Sequence, residues 1–301
     1  MGTRTIGLIG LGSLGGAIAS NLAERKQLHY VYNRHAGKTA ALTGQGIAAT
    51  TSVKELAQAC DIVISVVSDD AAVNAITAGA DGIAANLKKG GVHVSMSTIL
   101  PATSTALETL HRQHGNFYLA CPVIGRPDAA RARKLNFCIA GQPVAKEKVL
   151  DLLSDAGAAN CWDYGETPGS ANTAKLCTNF MLIAAIEGIA EGLALARHSE
   201  VDKRTVMTML GQTIFNCPVY INYGNTILEE KFQPAGFSMA LALKDMKLVG
   251  QQAESVHLDM PFATALQDKM EHFVGKGLGT HDLAALALEI ESTPGESSIQ
   301  L

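Results

Sequence analysis

The chain has 301 residues, of which 47% are hydrophobic and 17% charged, and its formal net charge is −4. A chain of this length exceeds what one hydrophobic core usually serves, so two domains are expected. A slightly acidic protein offers no basic surface for nucleic acid. The composition is that of an ordinary cytosolic enzyme, and we expect neither nucleic acid nor a membrane as its partner.

The N-terminus and the cysteines indicate a reducing location. Met1 leads into an apolar strand without a basic region and a continuous apolar stretch, so no secretory signal is expected. The apolar window 180–196 contains Glu187 and Glu191, and we interpret it as a buried helix too short to span a bilayer. The six cysteines form no Cys-x-x-Cys pair and have no histidines at metal-ligand spacing. We predict reduced thiols, no metal site and a cytoplasmic protein.

In the first half of the chain, short apolar runs alternate with helical patterns such as 15–25 and 53–59. This alternation is typical of a parallel sheet covered by helices on both faces. Strands are predicted over 5–9, 28–32, 61–67, 92–95, 117–119, 136–140 and 161–164.

After Gly165 the pattern is helical to about residue 290, with interruptions at Pro218, 234–236 and Pro261. A single helix over 171–197 would be about 40 Å long at ~1.5 Å per residue.

We predict an α/β fold in which this helix joins a doubly wound Rossmann domain (1–164) to an all-α substrate and dimerisation domain (165–301). Apolar helix faces from Phe180 onward exceed what one small domain needs, so a homodimer or homotetramer is expected. The polar residues 292–301 are predicted to form a loose tail.

A glycine-rich loop lies between the first predicted strand and the first predicted helix. Its first glycine permits a tight turn, its second lets the backbone approach a diphosphate, and its third lets helix pack on strand. Phosphates then bind at the helix N-terminus, where N–H groups and the helix dipole favour anions. The loop predicted to bind a dinucleotide consists of Gly10, Leu11, Gly12, Ser13, Leu14 and Gly15.

The end of the second predicted strand discriminates between the two nicotinamide cofactors. NAD-binding proteins normally place Asp or Glu there to hold the ribose hydroxyls. This sequence has Asn33 and Arg34, with Lys38 close behind and no carboxylate. Because a guanidinium can bind a 2′-phosphate through bidentate, charge-assisted bonds, we predict NADP(H).

Four further residues at predicted strand ends are assigned to the cofactor site. Ser97 and Thr98 follow the strand 92–95, at the edge where open α/β sheets bind ligands. Their hydroxyls could equally cap or bond the turn before a helix that begins near Pro101, and the two roles are compatible. Val66 and Val67, at the end of the strand 61–67, complete this set.

Five segments, in order and over nearly the full length, resemble the β-hydroxyacid dehydrogenase family. This family includes 3-hydroxyisobutyrate dehydrogenases and glyoxylate or tartronate-semialdehyde reductases. The resemblance implies hydride transfer between NADPH and an aldehyde or keto acid. The segments are 6–12 with Asn33-Arg34, 96–101 beside the nicotinamide, Gly165-x-x-x-Gly169-x-x-x-x-x-Lys175-x-x-x-Asn179, 243–245 and 277–280.

The resemblance implies that Lys175 is the general acid/base and that Asn179 is an amide that orients the substrate. Carbonyl reduction builds negative charge on oxygen, so a proton donor must lie within hydrogen-bond reach. Residues at i and i+4 share a helix face, which lets both groups meet one substrate oxygen or carboxylate. Most helical lysines are exposed, but the small or apolar neighbours Ala171, Ala174 and Leu176 predict that Lys175 is buried or half-buried.

Two more site residues come from the C-terminal half. The resemblance places Lys244 against the cofactor or substrate and makes Phe237 an apolar wall of the site. The alternative for Lys244 is a lysine on an amphipathic helix beside Asp245.

The predicted substrate loop departs from the family's Pro-Val-Ser-Gly-Gly pattern. Val123 and Gly125 are retained, but Ile124 replaces the serine and Arg126 replaces the second glycine. A hydroxyl donor is lost, which weakens the expectation of a small hydroxy-acid substrate. Arg126 could bind a carboxylate instead, or it could pair with Asp128.

Two other functions compete with carbonyl reduction. Imine reductases of related architecture commonly lack a lysine at this helix position, so Lys175 disfavours them, whereas Ile124 favours their bulkier, less acidic substrates. A non-catalytic NADP-binding module is expected to have lost the lysine, which is present here.

Overall fold

The computed structural model describes residues 4–290, with side chains to residue 288, and divides the chain into two compact units. The units are Met1–Lys175 and Leu176–Leu301. The division falls within the long helix rather than at residue 165, because the first turns of this helix pack on the first unit, where Ala171 is fully buried. The predicted tail, 292–301, lies outside the described residues.

The first unit contains one sheet. Its strand order is β3-β2-β1-β4-β5-β6-β8-β7, and β9 pairs with β8. The direction of strand order reverses between β1 and β4, which is where doubly wound sheets form their ligand crevice. The strands are β1 (Ile6–Ile9), β2 (Tyr30–Tyr32), β3 (Ala48–Ala49), β4 (Ile62–Ser65), β5 (Val92–Ser95), β6 (Phe117–Ala120), β7 (Val123–Ile124), β8 (Leu135–Gly141) and β9 (Ala158–Asp163).

The predicted parallel pairing is found throughout β1 to β6 and between β8 and β9. Strand β8 runs antiparallel to β6, and β7 antiparallel to β8. The sequence prediction missed β3 and β7, each of two residues, because an exposed Ala-Ala pair and a short loop carry no period-2 pattern.

Both faces of the sheet are covered, as predicted. Leu8 of β1 packs into one buried cluster with the first helix and Leu152, whereas Ile9 packs into another with Leu56 and Ile83. Successive residues of a strand point to opposite faces, so one strand serves two cores.

Helices cover this sheet and make up the second unit. Predicted ends agree at Val53–Ala59 and differ by a few residues elsewhere. The α-helices are α1 (Ser13–Glu24), α2 (Ala40–Thr43), α3 (Val53–Ala59), α4 (Asp70–Thr77), α5 (Ile83–Asn86), α6 (Pro101–Gln113), α7 (Pro127–Arg131), α8 (Pro143–Glu147), α9 (Leu150–Ala156), α10 (Pro168–His198), α11 (Lys203–Gln212), α12 (Pro218–Leu228), α13 (Met239–Ser255), α14 (Pro261–Gly275) and α15 (Ala287–Ile290), with 3₁₀ turns at Ala36–Thr39, Leu278–Thr280 and Leu283–Leu286.

The proline positions account for several helix starts. Pro218 and Pro261, where the sequence predicts interruptions, each occupy a first-turn position of a helix. Proline suits this position because its missing N–H has no intrahelical partner there and its fixed φ fits the helix.

Helix α10 is longer than the sequence predicts. Its 31 residues have the length and composition to cross a membrane, with a mean hydropathy of 1.5 in the most apolar window. By length and composition the apolar stretch is therefore not too short for this, but 44% of that window is buried inside the structure, and the core helices of soluble proteins pass the same test. The helix also carries a buried ion pair between Glu187 and Lys269.

A buried polar chain crosses the core of the first unit. Ser65 Oγ lies 2.8 Å from His93 Nε2, and His93 Nδ1 lies 3.0 Å from His111 Nε2. His111 Nδ1 continues the chain to Asn116 Oδ1 at 2.6 Å. All four residues are buried, so their polar side-chain atoms must find hydrogen-bond partners within the protein rather than in water.

Candidate functional site

The outer two glycines of the loop are required by backbone packing. Gly10 has φ +98°, and a Cβ on it would lie 2.2 Å from the carbonyl oxygen of Val66. A Cβ on Gly15 would lie 2.1 Å from the carbonyl oxygen of Gly10. The turn, the start of α1 and the end of β4 can therefore lie this close together only because both positions lack a side chain. This is the packing role that the sequence predicts for the third glycine.

The middle glycine faces open space. A Cβ on Gly12 would meet no atom within 4 Å, and α1, which begins at Ser13, has no side-chain cap. Gly12 and Ser13 are exposed, Leu14 is half-buried and Leu11 is buried. The first N–H groups of α1 are therefore available to an anion, and the loop fits the diphosphate of a dinucleotide.

Asn33 ties the end of β2 to the glycine loop. Its Oδ1 accepts a hydrogen bond of 2.8 Å from the Leu11 N–H, and its Nδ2 donates to the carbonyl oxygen of His35 at 3.0 Å. Arg34 is exposed next to it. Both residues are predicted to contact the cofactor. The Asn33 side chain also fixes the backbone of the glycine loop at Leu11.

The four residues predicted at the ends of β4 and β5 are joined to one another. The Val66 N–H donates to the carbonyl oxygen of Ile9 at 2.8 Å, and the Val67 N–H donates to Ser97 Oγ at 3.1 Å. Thr98 is half-buried beside them. Ser97 therefore bonds a neighbouring loop and does not cap a helix.

Helix α6 begins at Pro101, as predicted, but its N-cap is Leu100. The polar contacts at this end come from Asp70. Its Oδ1 accepts from the Leu100 N–H at 3.0 Å and from Thr103 Oγ1 at 2.6 Å. Asp70 thus bonds the N–H of the N-cap residue and a side chain of the first turn, whereas a capping serine would accept from a backbone N–H of that turn.

Two glycines of the predicted catalytic motif set the entry of α10. Gly165 has φ +89°, and its carbonyl accepts from the Gly141 N–H at 3.0 Å. A Cβ on Gly169 would lie 3.0 Å from the carbonyl oxygen of Pro101. The left-handed turn and the close helix contact therefore fix the direction of α10 and with it the position of Lys175, about two turns further on.

Lys175 is buried, as the sequence predicts, with only 9% of its surface exposed. Its positive charge acts on Cys138 of β8. Burial raises the pKa of the Cys138 thiol, and the charge of Lys175 partly offsets that rise. Because Lys175 is buried beside apolar side chains, water has little access to its ammonium group, which suits a positioned proton donor.

The predicted substrate residues occupy β7 and the turn after it. Val123 is buried opposite Phe137, and Ile124 is half-buried opposite Asn136. Gly125 has φ +141°, and a Cβ there would lie 2.6 Å from Leu135 Cδ2. The turn therefore requires this glycine and fixes the position of Ile124.

Arg126 pairs with Asp128, one of the two alternatives that the sequence left open. Their Nη2 and Oδ2 atoms are 3.3 Å apart. Burial alone would raise the pKa of Asp128, but the hydrogen bond and charge of Arg126 outweigh it and lower that pKa. Asp128 is thus held as the charged partner of Arg126.

In the second unit, Asp245 joins two predicted site residues. Its Oδ2 accepts from Asn179 Nδ2 at 2.6 Å, and its Oδ1 lies 2.8 Å from Lys244 Nζ. Asn179 and Asp245 are buried. The sequence analysis names Asp245 only as a neighbour of Lys244. A carboxylate among the apolar positions of α13 could have indicated that it has a buried hydrogen-bond partner.

Asp282 fixes the backbone at Phe237. Its Oδ2 accepts from the N–H groups of Gly236 and Phe237 at 2.9 and 3.1 Å, and its Oδ1 accepts from Ala284 at 3.0 Å. Phe237 itself is half-buried. The sequence argument missed Asp282, although an Asp before an apolar turn is a capping signal.

No group of three or more His, Cys, Asp or Glu side chains in the described part of the chain could hold a metal ion.

Comparisons with known proteins agree with this geometry. Residues 5–165 match the family model of the NAD binding domain of 6-phosphogluconate dehydrogenase. Residues 169–289 match the model described as NAD-binding of NADP-dependent 3-hydroxyisobutyrate dehydrogenase.

Individual relatives match over nearly the whole chain. The Bacillus subtilis (strain 168) protein named uncharacterized oxidoreductase YfjR is 37% identical over 281 residues, covering 93% of this chain and 98% of the relative. Glyoxylate/succinic semialdehyde reductase 2, chloroplastic, from Arabidopsis thaliana is 27% identical, covering 95% of this chain and 79% of the relative.

The fold also has solved counterparts. The structure of Mycobacterium tuberculosis 3-hydroxyisobutyrate dehydrogenase with L-serine superposes with a TM-score of 0.88 at 21% identity, covering 96% of this chain and all of that one. On these matches, and on a glycine loop built for a dinucleotide, the chain belongs to the β-hydroxyacid dehydrogenase family and is an NAD(P)-dependent oxidoreductase.

Proposed function

We propose that this protein is an NADP(H)-dependent reductase of an aldehyde or keto compound, with Lys175 as the general acid. The observation that carries the proposal is a buried lysine whose helix is aimed by Gly165 and Gly169. In the reverse direction the same side chain, as a neutral amine, accepts the hydroxyl proton.

The residues that would hold the cofactor are those whose geometry fits it. The loop from Gly10 to Gly15 would bind the diphosphate through the open N–H groups of α1. Arg34 would bind a 2′-phosphate, and no acidic residue follows β2 to bind a free ribose hydroxyl. When bound, the nicotinamide supplies the hydride.

The protein's own contribution to the chemistry is a proton at a fixed position. As hydride reaches the carbonyl carbon, charge grows on the oxygen, and the Lys175 ammonium donates a proton to that oxygen. Asn179, four residues along α10, would orient the substrate, and Asp245 holds the Asn179 amide in one orientation. The carbonyl is thereby reduced to an alcohol.

A second candidate, reduction of a C=N bond, is favoured by one observation. Ile124 offers no hydroxyl and packs among apolar side chains, which suits a bulky imine. Lys175 weighs against it, because an imine is itself basic and can arrive protonated.

Both candidates are tested by measuring NADPH oxidation with a panel of aldehydes, keto acids and cyclic imines. For the wild type we expect turnover of a carbonyl, and for Lys175→Ala a loss of kcat of about 10²- to 10⁴-fold, the usual contribution of a positioned acid. Binding of NADPH, followed by its fluorescence, should be unchanged.

The matched control is Lys54→Ala, which removes an exposed helical lysine and should leave turnover intact. Retained kcat in Lys175→Ala would contradict the assigned role. Turnover of cyclic imines alone would favour the second candidate, and turnover of nothing despite tight NADPH binding would contradict both.

A further inference from the structure

One apolar cluster of the first unit reaches from the glycine loop to the lysine. Its buried members include Val73, Ile99, Tyr118 and Ala171. Three partly exposed side chains pack against it: Val67, Ile124 and Ala174. We call these three residues the apolar rim.

The ends of the apolar rim lie beside the two chemical parts of the proposed site. Val67 Cγ1 would be 3.3 Å from a Cβ on Gly10, so this side chain borders the glycine loop. Ala174 directly precedes Lys175 on α10. A group bound between the cofactor loop and the lysine therefore lies against the apolar rim, of which Ile124 is the largest member.

The position of Ile124 is fixed rather than adjustable. Antiparallel pairing places it opposite Asn136, whose Oδ1 accepts hydrogen bonds of 3.1 Å from both Asn160 and Trp162. The next residue, Gly125, has φ +141°, a backbone conformation that residues with a side chain rarely adopt. A Cβ on it would lie 2.6 Å from Leu135 Cδ2. The strand pairing and the left-handed glycine thus place the Ile124 side chain at the edge of the apolar cluster.

The nearby cation is already paired. Arg126 follows two residues after Ile124 and faces Asp128 at 3.3 Å. Asp128 thus offsets part of the positive charge that would attract a substrate carboxylate. A carboxylate against Ile124 would lose water without gaining a hydrogen bond from that side chain, which is costly.

We propose that the carbonyl substrate presents an uncharged, apolar substituent to Ile124, and that Ile124 selects against carboxylate-bearing substrates. The inference rests on the proposed function and narrows it from aldehydes and keto acids to aldehydes and ketones without an acid group. Ile124 is thus a specificity-determining residue of this chain.

The test compares two aldehydes of matched shape and different charge. Succinic semialdehyde carries a carboxylate where 4-methylpentanal carries an isopropyl group. We expect the wild type to have a kcat/KM at least about 10-fold higher for 4-methylpentanal, the scale on which an apolar pocket discriminates. In Ile124→Ser the ratio should move by about 10-fold or more toward the acid, whereas Ile124→Val should keep the wild-type preference.

Three results would overturn the specificity proposal while leaving carbonyl reduction intact. They are a wild-type preference for succinic semialdehyde, a ratio that Ile124→Ser does not change, and a selective loss of activity on the acid in Arg126→Ala. The first needs no variant, so a variant that folds poorly does not protect the proposal. Absence of NADPH oxidation with any carbonyl, with NADPH bound, would instead overturn the proposed function.

Discussion

The predicted cofactor end and the predicted substrate end of the first unit are held by different kinds of contact. At the cofactor end, backbone atoms set the limits: Gly10 and Gly15 leave no room for a Cβ against carbonyl oxygens. At the substrate end, side chains set the limits: Ile124 provides a partly exposed apolar surface and Arg126 is paired with Asp128. Both side chains lie on a loop whose turn requires Gly125. Backbone limits restrict a position to one residue type, whereas side-chain walls can be exchanged without rebuilding the loop.

The largest expected effect separates two glycines of one motif. In Gly12→Val the new side chain points into open space and φ is −68°, so the free energy of unfolding should fall by only about 1 kcal/mol, the cost of a poorer N-cap residue. NADPH affinity should fall by at least about 100-fold, because several charge-assisted N–H bonds to phosphate would be blocked. Fluorescence titration and thermal melting measure the two quantities.

The matched control is Gly15→Val, whose Cβ would lie 2.1 Å from the Gly10 carbonyl oxygen. This variant should lose thermal stability, since the loop or the start of α1 must shift. If Gly12→Val destabilised the protein as much as Gly15→Val, the distinction between a ligand-facing and a packing glycine would fail.

The next effect concerns the choice of nicotinamide cofactor. Arg34→Asp replaces an exposed guanidinium with the carboxylate that NAD-binding proteins carry. If Arg34 binds a 2′-phosphate, kcat/KM for NADPH should fall about 10- to 100-fold relative to NADH, the worth of a hydrogen-bonded charge pair.

Lys38→Gln serves as the control, because it removes a nearby positive charge without adding a carboxylate. It should shift the preference far less than Arg34→Asp does. Equal shifts in the two variants would indicate a general electrostatic effect and would contradict a specific contact through Arg34.

The sequence predicts those parts of the fold and site whose causes are local. The glycine loop, the start of α6 at Pro101 and the burial of Lys175 each follow from neighbouring residues. The antiparallel β8 could not be predicted, because strand direction depends on a partner distant in the chain.

The same limit applies to the site. Asn33 could be assigned to the second strand's end, but its bond to Leu11 requires β1 and β2 to be paired. Asp245 is 66 residues from the Asn179 amide that it holds, so no sequence spacing reveals the contact. Partners that meet only through tertiary packing are what sequence reasoning missed.

The smallest effect tests the buried polar chain that begins at Ser65, just before the cofactor end. Both Nδ2 bonds of Asn116 go to backbone carbonyls, so its Oδ1 can only accept, and His111 must donate from Nδ1. His111 Nε2 then accepts from His93 Nδ1, and His93 Nε2 accepts from Ser65. Each histidine is therefore a neutral Nδ1–H tautomer, and protonation of either one requires the Ser65 hydroxyl to turn from donor to acceptor.

Burial lowers the pKa of His111 to about 4, and burial together with the His111 charge lowers that of His93 well below its usual value. Since both folded-state pKa values lie below the unfolded value of about 6.5, the unfolded state binds protons first as the pH falls. Stability should be complete above pH ~6.5 and decrease below it, by up to about 1.4 kcal/mol per pH unit for each histidine.

Urea unfolding followed by the fluorescence of Trp162, the only tryptophan in the sequence, reports on the first unit. Measurements between pH 6.5 and 5 stay above the range where most carboxylates titrate. His111→Gln should reduce the slope of stability against pH even as it lowers stability at pH 7, whereas His198→Gln, at an exposed helix end, should leave the slope unchanged. A wild-type stability that is flat across this window would show that the two histidines accept protons in the folded state, and the neutral chain behind the cofactor end would then be wrong.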